Sequence, residues 1–190
     1  KSGAMPHTDS TDSMHALTHT EENKKNSAIG GVNSRLALQP GRAQKPFRLL
    51  FVCTGNACRS PMAEGIARHY GMGRVEVFSV GVTPATLDRR AVLAMAEMGI
   101  DISSHVPKGV GAVAIGEMDL VVTLCDYAQG LFPSGSPTQH RLHWSIGDPY
   151  QLWGPDWLVL KTYRRVRDDL TLRIRSLLLD SREKTSATQS

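Results

Sequence analysis

The chain has 190 residues, 41% of them hydrophobic, with a net charge of +4, which suits one well-packed domain and excludes two large ones. No run of about eighteen apolar residues is present, and the amino-terminal stretch lacks the apolar core of a secretory signal, so we expect neither a membrane span nor secretion. Three cysteines, an odd and small number, argue against a disulfide framework and predict a reducing compartment such as the cytoplasm.

The positive charge is spread along the chain and does not predict nucleic-acid binding. Residues 46–182 contain fifteen Lys and Arg against thirteen Asp and Glu. The strongest basic cluster, at 164–167, alternates with acidic residues in a helical pattern, which is typical of a solvated helix face. No nucleic-acid recognition motif accompanies it.

The two ends of the chain are polar and lack a hydrophobic period. Residues 1–45 are rich in Ser, Thr, Asn, Gly and His, and such a segment cannot bury enough apolar surface to offset its ordering entropy. We therefore predict a disordered tail over 1–45, a second one over 183–190, and a single catalytic domain over 46–182.

Between the tails, short apolar runs alternate with helical patterns. Four strands are predicted, the last of them weak: Phe47–Cys53, Val75–Val80, Asp119–Leu124 and Arg141–Ile146. Three helices are predicted: Pro61–Tyr70, Leu87–Met98 and Trp157–Leu179. Ser60 is placed as the N-cap of the first helix, with Pro61 at its first position. Strands separated by helices imply parallel pairing, and hence a three-layer α/β domain.

Three reactive side chains fall at one edge of the predicted sheet. Cys53 ends the first strand, Cys125 ends the third, and Asp148 follows the fourth. In parallel sheets of this kind, ligands bind at the carboxyl ends of the strands. We therefore expect these side chains to share a site.

The segment CTGNACRSP at 53–61 predicts a loop that binds a tetrahedral oxyanion, phosphate or arsenate. A loop from a strand to a helix start can turn its backbone N–H groups inward as an anion nest. Gly55 and Asn56 are residue types that tolerate the positive φ such a wrap requires. The residues expected to line the nest are Thr54, Gly55, Asn56, Ala57, Cys58 and Arg59.

Cys53 is the predicted nucleophile of this loop. The Arg59 guanidinium is a planar fork that matches two oxygens of an oxyanion. Amides, guanidinium and helix N-terminus all favour a thiolate, so we expect the pKa of Cys53 to lie well below the free value of about 8.5. Ser60 is placed to donate a hydrogen bond to this thiolate or to the leaving group.

Cys53 to Pro61, extended by MAEG at 62–65, resembles the active-site loop of the low-molecular-weight protein-tyrosine phosphatase family, which includes the cysteine-relay arsenate reductases. The resemblance extends over residues 47 to about 179, through GIDISSH at 99–105, DLVVTLCD at 119–126 and Asp148-Pro149. It implies a four-stranded parallel sheet with helices on both faces. It also implies that Cys53 is the nucleophile, Arg59 the oxyanion clamp and Asp148 the general acid, kept partly protonated in a sheltered cleft.

The strand that ends at Cys125 resembles the arsenate reductase branch, in which this cysteine is the first resolving thiol. A small core residue is the alternative role for Cys125. Phe132 stands where thioredoxin-coupled members usually carry a third cysteine. Regeneration is therefore expected to use an external thiol reductant, either glutathione with a glutaredoxin or thioredoxin, and no bound cofactor.

Asp148-Pro149-Tyr150 matches the phosphatase branch instead, with Tyr150 and Trp144 as expected walls of the substrate pocket. We favour an arsenate reductase with residual phosphatase activity. A protein-tyrosine phosphatase that forms a phosphocysteine at Cys53 is the alternative, and a non-catalytic oxyanion-binding module the minor one. No metal site is expected, since the cysteines form only one loose pair and Lys108 replaces an acidic residue that supports an alkali cation in some relatives.

Overall fold

The computed structural model describes residues 46–131, 140–151 and 154–186, so the predicted tail at 1–45 lies outside the described residues. The strands are β1 Phe47–Cys53, β2 Val75–Gly81, β3 Leu120–Thr123 and β4 His140–His143. The α-helices are α1 Arg59–Gly71, α2 Arg89–Ala96, α3 Asp126–Leu131 and α4 Asp156–Ser186. Short 3-10 turns lie at Val110–Ala112, Ile115–Glu117 and Pro149–Gln151.

The four strands form one parallel sheet in the order β2-β1-β3-β4. The apolar side chains of β1 alternate between the two faces of the sheet, as strand geometry requires. Leu49 and Phe51 belong to a large core with α1, α2 and α4, whereas Leu50 and Val52 belong to a smaller core with α3 and the 3-10 turns. The predicted three-layer α/β fold is therefore confirmed.

The start of α1 differs from the prediction. The helix begins at Arg59, and the residue before it, Cys58, makes no side-chain capping bond. Ser60 is thus inside the first turn and Pro61 is its third residue, so the predicted N-cap and first position were wrong. The reason is that the hydroxyl of Ser60 faces Cys53 and the backbone of β2 rather than the helix amides.

The other helices also differ from the prediction. The α2 helix is shorter at both ends than the predicted Leu87–Met98. The six-residue α3 directly after β3 was not predicted, because a helix of this length has too few turns to show a hydrophobic period. The last helix continues to Ser186, which is beyond the domain boundary that we placed at residue 182. None of the helices within the described residues has an apolar stretch long enough to cross a bilayer.

Candidate active site

The segment after β1 wraps into a loop because its carbonyl groups bond to the neighbouring segment 82–88. The carbonyl oxygens of Cys53, Thr54, Gly55 and Ala57 each accept a backbone N–H bond of 2.8 to 3.1 Å. The donors are Val82, Thr83, Ala85 and Asp88. These carbonyls are engaged outside the loop, and the Asn56 amide faces the Cys53 sulfur, as an anion nest at this loop would need.

The sulfur of Cys53 lies inside this loop, and the residue is only 2% exposed. Its Sγ accepts a hydrogen bond from the backbone N–H of Asn56 at 3.3 Å and lies 2.9 Å from the Ser60 Oγ. The sulfur thus has an amide donor and a hydroxyl within hydrogen-bond distance. The predicted contact between Cys53 and Ser60 is therefore present.

Asn56 has the left-handed backbone that the loop requires, with φ of 48°. The glycines with positive φ in the described part of the chain are Gly73, Gly99 and Gly154, so the expectation of positive φ at Gly55 was wrong. The Asn56 side chain is fully buried and compensates for the unfavourable backbone with several hydrogen bonds. Its Nδ2 donates to the hydroxyls of Ser60 and Ser79 at 3.0 and 2.8 Å.

The Asn56 carbonyl oxygen is held from the other side. It accepts the backbone N–H of Lys108 at 2.8 Å, and the His105 Nε2 lies 3.1 Å away. Because a carbonyl oxygen can only accept, His105 carries its proton on Nε2 here. Burial is the main cause that lowers the pKa of His105, and the Glu64 carboxylate opposes it. The imidazole is therefore mostly neutral at pH 7, and its single proton is the one on Nε2.

Sequence reasoning missed the residues behind the loop. Glu64 is buried, accepts a hydrogen bond from the Ser79 hydroxyl and forms an ion pair with Arg68 at 2.5 Å. Arg68 follows Glu64 by one turn of α1, but Ser79 lies in β2, so the contact between Glu64 and Ser79 has no local pattern. The MAEG and GIDISSH stretches, which contain Glu64 and His105, were the available signal.

Gly81, at the end of β2, was also missed, and it is the point of closest approach between β2 and the loop. A Cβ at this position would lie 2.6 Å from the Asn56 backbone nitrogen and 2.7 Å from the Gly55 carbonyl carbon. Such contacts with backbone atoms cannot be relieved by a side-chain rotation. The loop therefore needs glycine here.

Gly81→Ala is expected to lower the free energy of unfolding by about 2–4 kcal/mol and to reduce activity, because the loop backbone must shift. Urea unfolding and phosphate-ester hydrolysis measure the two effects. The matched control is Gly111→Ala, whose Cβ meets nothing within 4 Å and which should change stability by less than about 0.5 kcal/mol. Equal effects of the two substitutions would contradict the close approach.

Arg59 and Asp148 lie together, as the sequence predicts. Arg59 is only 5% exposed, and its guanidinium donates from Nη2 to the Asp148 Oδ2 at 3.0 Å. Its Nη1 donates to the Ile146 carbonyl oxygen at 3.1 Å. These two bonds connect the loop of α1 to the segment after β4, and they bring the predicted clamp and the predicted acid to the same side of the loop.

Cys125 approaches the loop from the other face of the sheet. It is 8% exposed and belongs to the smaller core, whereas Cys53 belongs to the larger one. Its Sγ lies 3.3 Å from the Oγ1 of Thr54, the residue that follows Cys53 in the chain. All three cysteines of the chain are free.

Cys58 differs from the other two cysteines in its surroundings. Burial is the main cause that raises its pKa well above the usual value, and the nearby Cys53 adds to it. Its thiol donates to the Met62 sulfur at 3.7 Å. At neutral pH Cys58 is therefore a protonated thiol that packs against α1.

The two predicted pocket walls are placed differently. Tyr150 is 67% exposed, and its backbone N–H donates to the Asp148 Oδ1 at 3.1 Å, so it lies beside the predicted acid. Trp144 is partly buried against the larger core, with its ring 6.2 Å from that of Phe51 and under the Arg173 guanidinium. These contacts give Trp144 a packing role rather than the pocket-wall role that we predicted.

With this geometry, the chain can be compared with known proteins. The sequence model of the family described as "Low molecular weight phosphotyrosine protein phosphatase" matches residues 48–187. An arsenate reductase of Halalkalibacterium halodurans is 38% identical over 128 residues, 67% of this chain and 92% of that relative. An arsenate reductase of Bacillus subtilis is 39% identical over 127 residues, 67% of this chain and 91% of that relative.

Solved structures give the same result. A structure titled "An arsenate reductase in the phosphate binding state" matches 70% of this chain and 97% of its own, with 31% identity and a TM-score of 0.58. A low molecular weight protein tyrosine phosphatase from T. tengcongensis matches 73% of this chain and 99% of its own, with 29% identity and a TM-score of 0.56. The similarity therefore includes both branches that the sequence suggested.

Proposed function

This chain belongs to the low molecular weight phosphotyrosine protein phosphatase family, and we propose that within it the protein is a thiol-dependent arsenate reductase. Arsenate reductases are similar to it at 38–39% identity over about nine-tenths of their length. The observation that carries the proposal is the contact of 3.3 Å between Cys125 and Thr54, the residue after Cys53, which supports Cys125 as a second thiol close to the oxyanion loop.

The first step is an attack by the Cys53 thiolate on the arsenic of arsenate. A sulfur–arsenic bond forms, the bond from arsenic to one hydroxyl oxygen breaks, and that hydroxyl leaves as water after it takes a proton from Asp148. The loop amides and Arg59 bind the remaining oxygens, and the Ser60 hydroxyl donates to the thiolate. The hydrogen bond between Asp148 and Arg59, the last residue of the loop, supports Asp148 as this proton donor.

The second step is an attack by the Cys125 thiolate on the Cys53 sulfur. A Cys53–Cys125 disulfide forms, the sulfur–arsenic electron pair stays on arsenic, and As(V) leaves as arsenite, As(III). The two thiols thus supply the two electrons. Since Cys53 belongs to the larger core and Cys125 to the smaller one, this step needs a rearrangement at the start of the loop or at the end of β3.

Regeneration needs an external thiol pair, because Phe132 occupies the position of the usual third cysteine, outside the described residues. Thioredoxin, or glutathione with a glutaredoxin, has the required chemistry. Three free cysteines suit a reducing compartment, so we place the reaction in the cytoplasm.

A second candidate function is phosphotyrosine hydrolysis, favoured by the exposed ring of Tyr150 beside Asp148. Here Cys53 displaces the tyrosine oxygen from phosphorus, Asp148 protonates that oxygen, and water then hydrolyses the phosphocysteine. The two reactions differ in their second step. The arsenate relay converts two thiols of the protein to a disulfide, whereas hydrolysis leaves the number of free thiols unchanged.

A single turnover without added reductant tests the proposal. The fully reduced protein is mixed with arsenate, and arsenite and free thiols are measured. The relay predicts one arsenite per chain and a fall in titratable thiols from three to one. Absence of arsenite here and with either thiol system, together with hydrolysis of p-nitrophenyl phosphate, would leave the phosphatase function in its place.

A further inference from the structure

Arg90, in the first turn of α2, lies among three elements that meet beside the active site. Its guanidinium donates two hydrogen bonds to the Asp88 carboxylate, at 3.1 and 3.0 Å. It lies over two tyrosine rings, 5.2 Å from the ring centre of Tyr163 in α4 and 5.6 Å from that of Tyr150. These distances are within the range of cation–π interactions.

In the cluster formed by Arg90, Asp88, Tyr163 and Tyr150, hydrogen bonds hold the two inner residues, Tyr163 and Asp88, in place. Tyr163 is fully buried and its hydroxyl donates to Asp88, whose carboxylate also caps α2 by accepting the Arg90 backbone N–H. The Asp88 backbone N–H in turn donates to the Ala57 carbonyl oxygen of the oxyanion loop at 2.8 Å. The position of the Arg90 guanidinium is therefore set relative to the loop.

The positive charge of the Arg90 guanidinium is already balanced by the Asp88 carboxylate. Burial would raise the pKa of Asp88, but hydrogen bonds from Arg90 and Tyr163 outweigh burial and lower it, so this carboxylate is ionised at pH 7. The bond to Asp88 raises the pKa of Arg90. A guanidinium paired in this way attracts a passing anion only weakly, but it keeps its planar face for aromatic rings.

The outer side of the cluster contains the predicted acid. Tyr150 is exposed, with its ring in contact with Arg90, and its backbone N–H donates to one carboxylate oxygen of Asp148. The other oxygen accepts from Arg59. If Arg59 turns to a bound oxyanion, Asp148 loses its bond from Arg59. Of these two bonds, the one from the Tyr150 backbone then still holds the Asp148 carboxylate.

We propose that Arg90 is a positioning residue for the general acid: it holds the Tyr150 ring and thereby keeps Asp148 where it can protonate the leaving group. The inference rests on the proposed role of Asp148 as that acid. It adds a residue of α2, outside the loop and the acid segment, to those that determine the rate.

Two esters with different leaving groups test this role. Phenyl phosphate releases a strongly basic oxygen that needs the acid, whereas p-nitrophenyl phosphate releases a weakly basic one that needs it little. Arg90→Gln should lower kcat on phenyl phosphate about fivefold more than on p-nitrophenyl phosphate. Tyr150→Leu should change the ratio in the same direction, and Tyr150→Phe, which keeps the ring, should preserve it. The matched control Arg89→Gln, an equal loss of charge at an exposed neighbour, should also keep the wild-type ratio.

The outcomes are separable. An equal loss on both esters would mean that Arg90 only supports the fold, and a change in KM alone would make it a substrate-binding cation; either result overturns the proposal. Asp148→Asn is measured alongside. If it changes the ratio and Arg90→Gln does not, only the positioning role fails. If Asp148→Asn leaves the ratio unchanged, the general acid assignment fails, and the positioning role with it.

Discussion

Cys53→Ser is expected to abolish arsenate reduction and to lower kcat for p-nitrophenyl phosphate at least about ten-thousandfold. A serine hydroxyl remains protonated at neutral pH and is a far weaker nucleophile than a thiolate. The loop around it is held by backbone bonds from segment 82–88 rather than by the sulfur. The variant should therefore still bind phosphate, which isothermal titration calorimetry can measure.

The control for this substitution is Cys58→Ser, which removes the other cysteine of the same loop. Because the Cys58 thiol is buried, protonated and packed on Met62, its loss should reduce hydrolysis by less than about tenfold. Thermal melts of both variants show whether the fold is intact. Substantial turnover by Cys53→Ser, or equal inactivation by Cys58→Ser, would contradict the assignment of the nucleophile.

Cys125→Ser is expected to separate the two activities. A serine cannot form a disulfide with Cys53, so the arsenite released in a single turnover without reductant should disappear completely. Hydrolysis of p-nitrophenyl phosphate should stay within about tenfold of wild type, since that reaction needs no second thiol. The serine hydroxyl can replace the thiol in the contact with Thr54.

Cys58→Ser again serves as the matched variant, because it leaves the Cys53 and Cys125 pair in place. It should retain the arsenite burst and the loss of two thiols. If Cys58→Ser loses the burst and Cys125→Ser retains it, the resolving thiol lies within the loop. If Cys125→Ser turns over arsenate as well as wild type with every thiol donor, the relay is wrong and external thiols attack the Cys53 adduct directly.

Local sequence signals predicted most of the fold. The bounds of β1 agree with the prediction to the residue, since a run of seven mostly apolar residues is covered on both faces of the sheet. The start of α1 was misplaced because Ser60 had two roles that the sequence could not rank, a helix cap and a partner for Cys53. A positive φ was predicted for both Gly55 and Asn56. Only Asn56 has it, and its side chain has four hydrogen-bond partners that offset the unfavourable backbone.

By itself, the sequence determined the parallel α/β order, the loop from Cys53 to Arg59, and the edge of the sheet where Cys125 and Asp148 lie, because each depends on residues close together in the chain. Only the tertiary structure decided that Gly81 must have no side chain, that Cys125 contacts Thr54, and that Asp88, Arg90 and Tyr163 meet. Those contacts join residues up to 75 positions apart. Their geometry follows from how the helices pack on the sheet, for which the local sequence contains no signal.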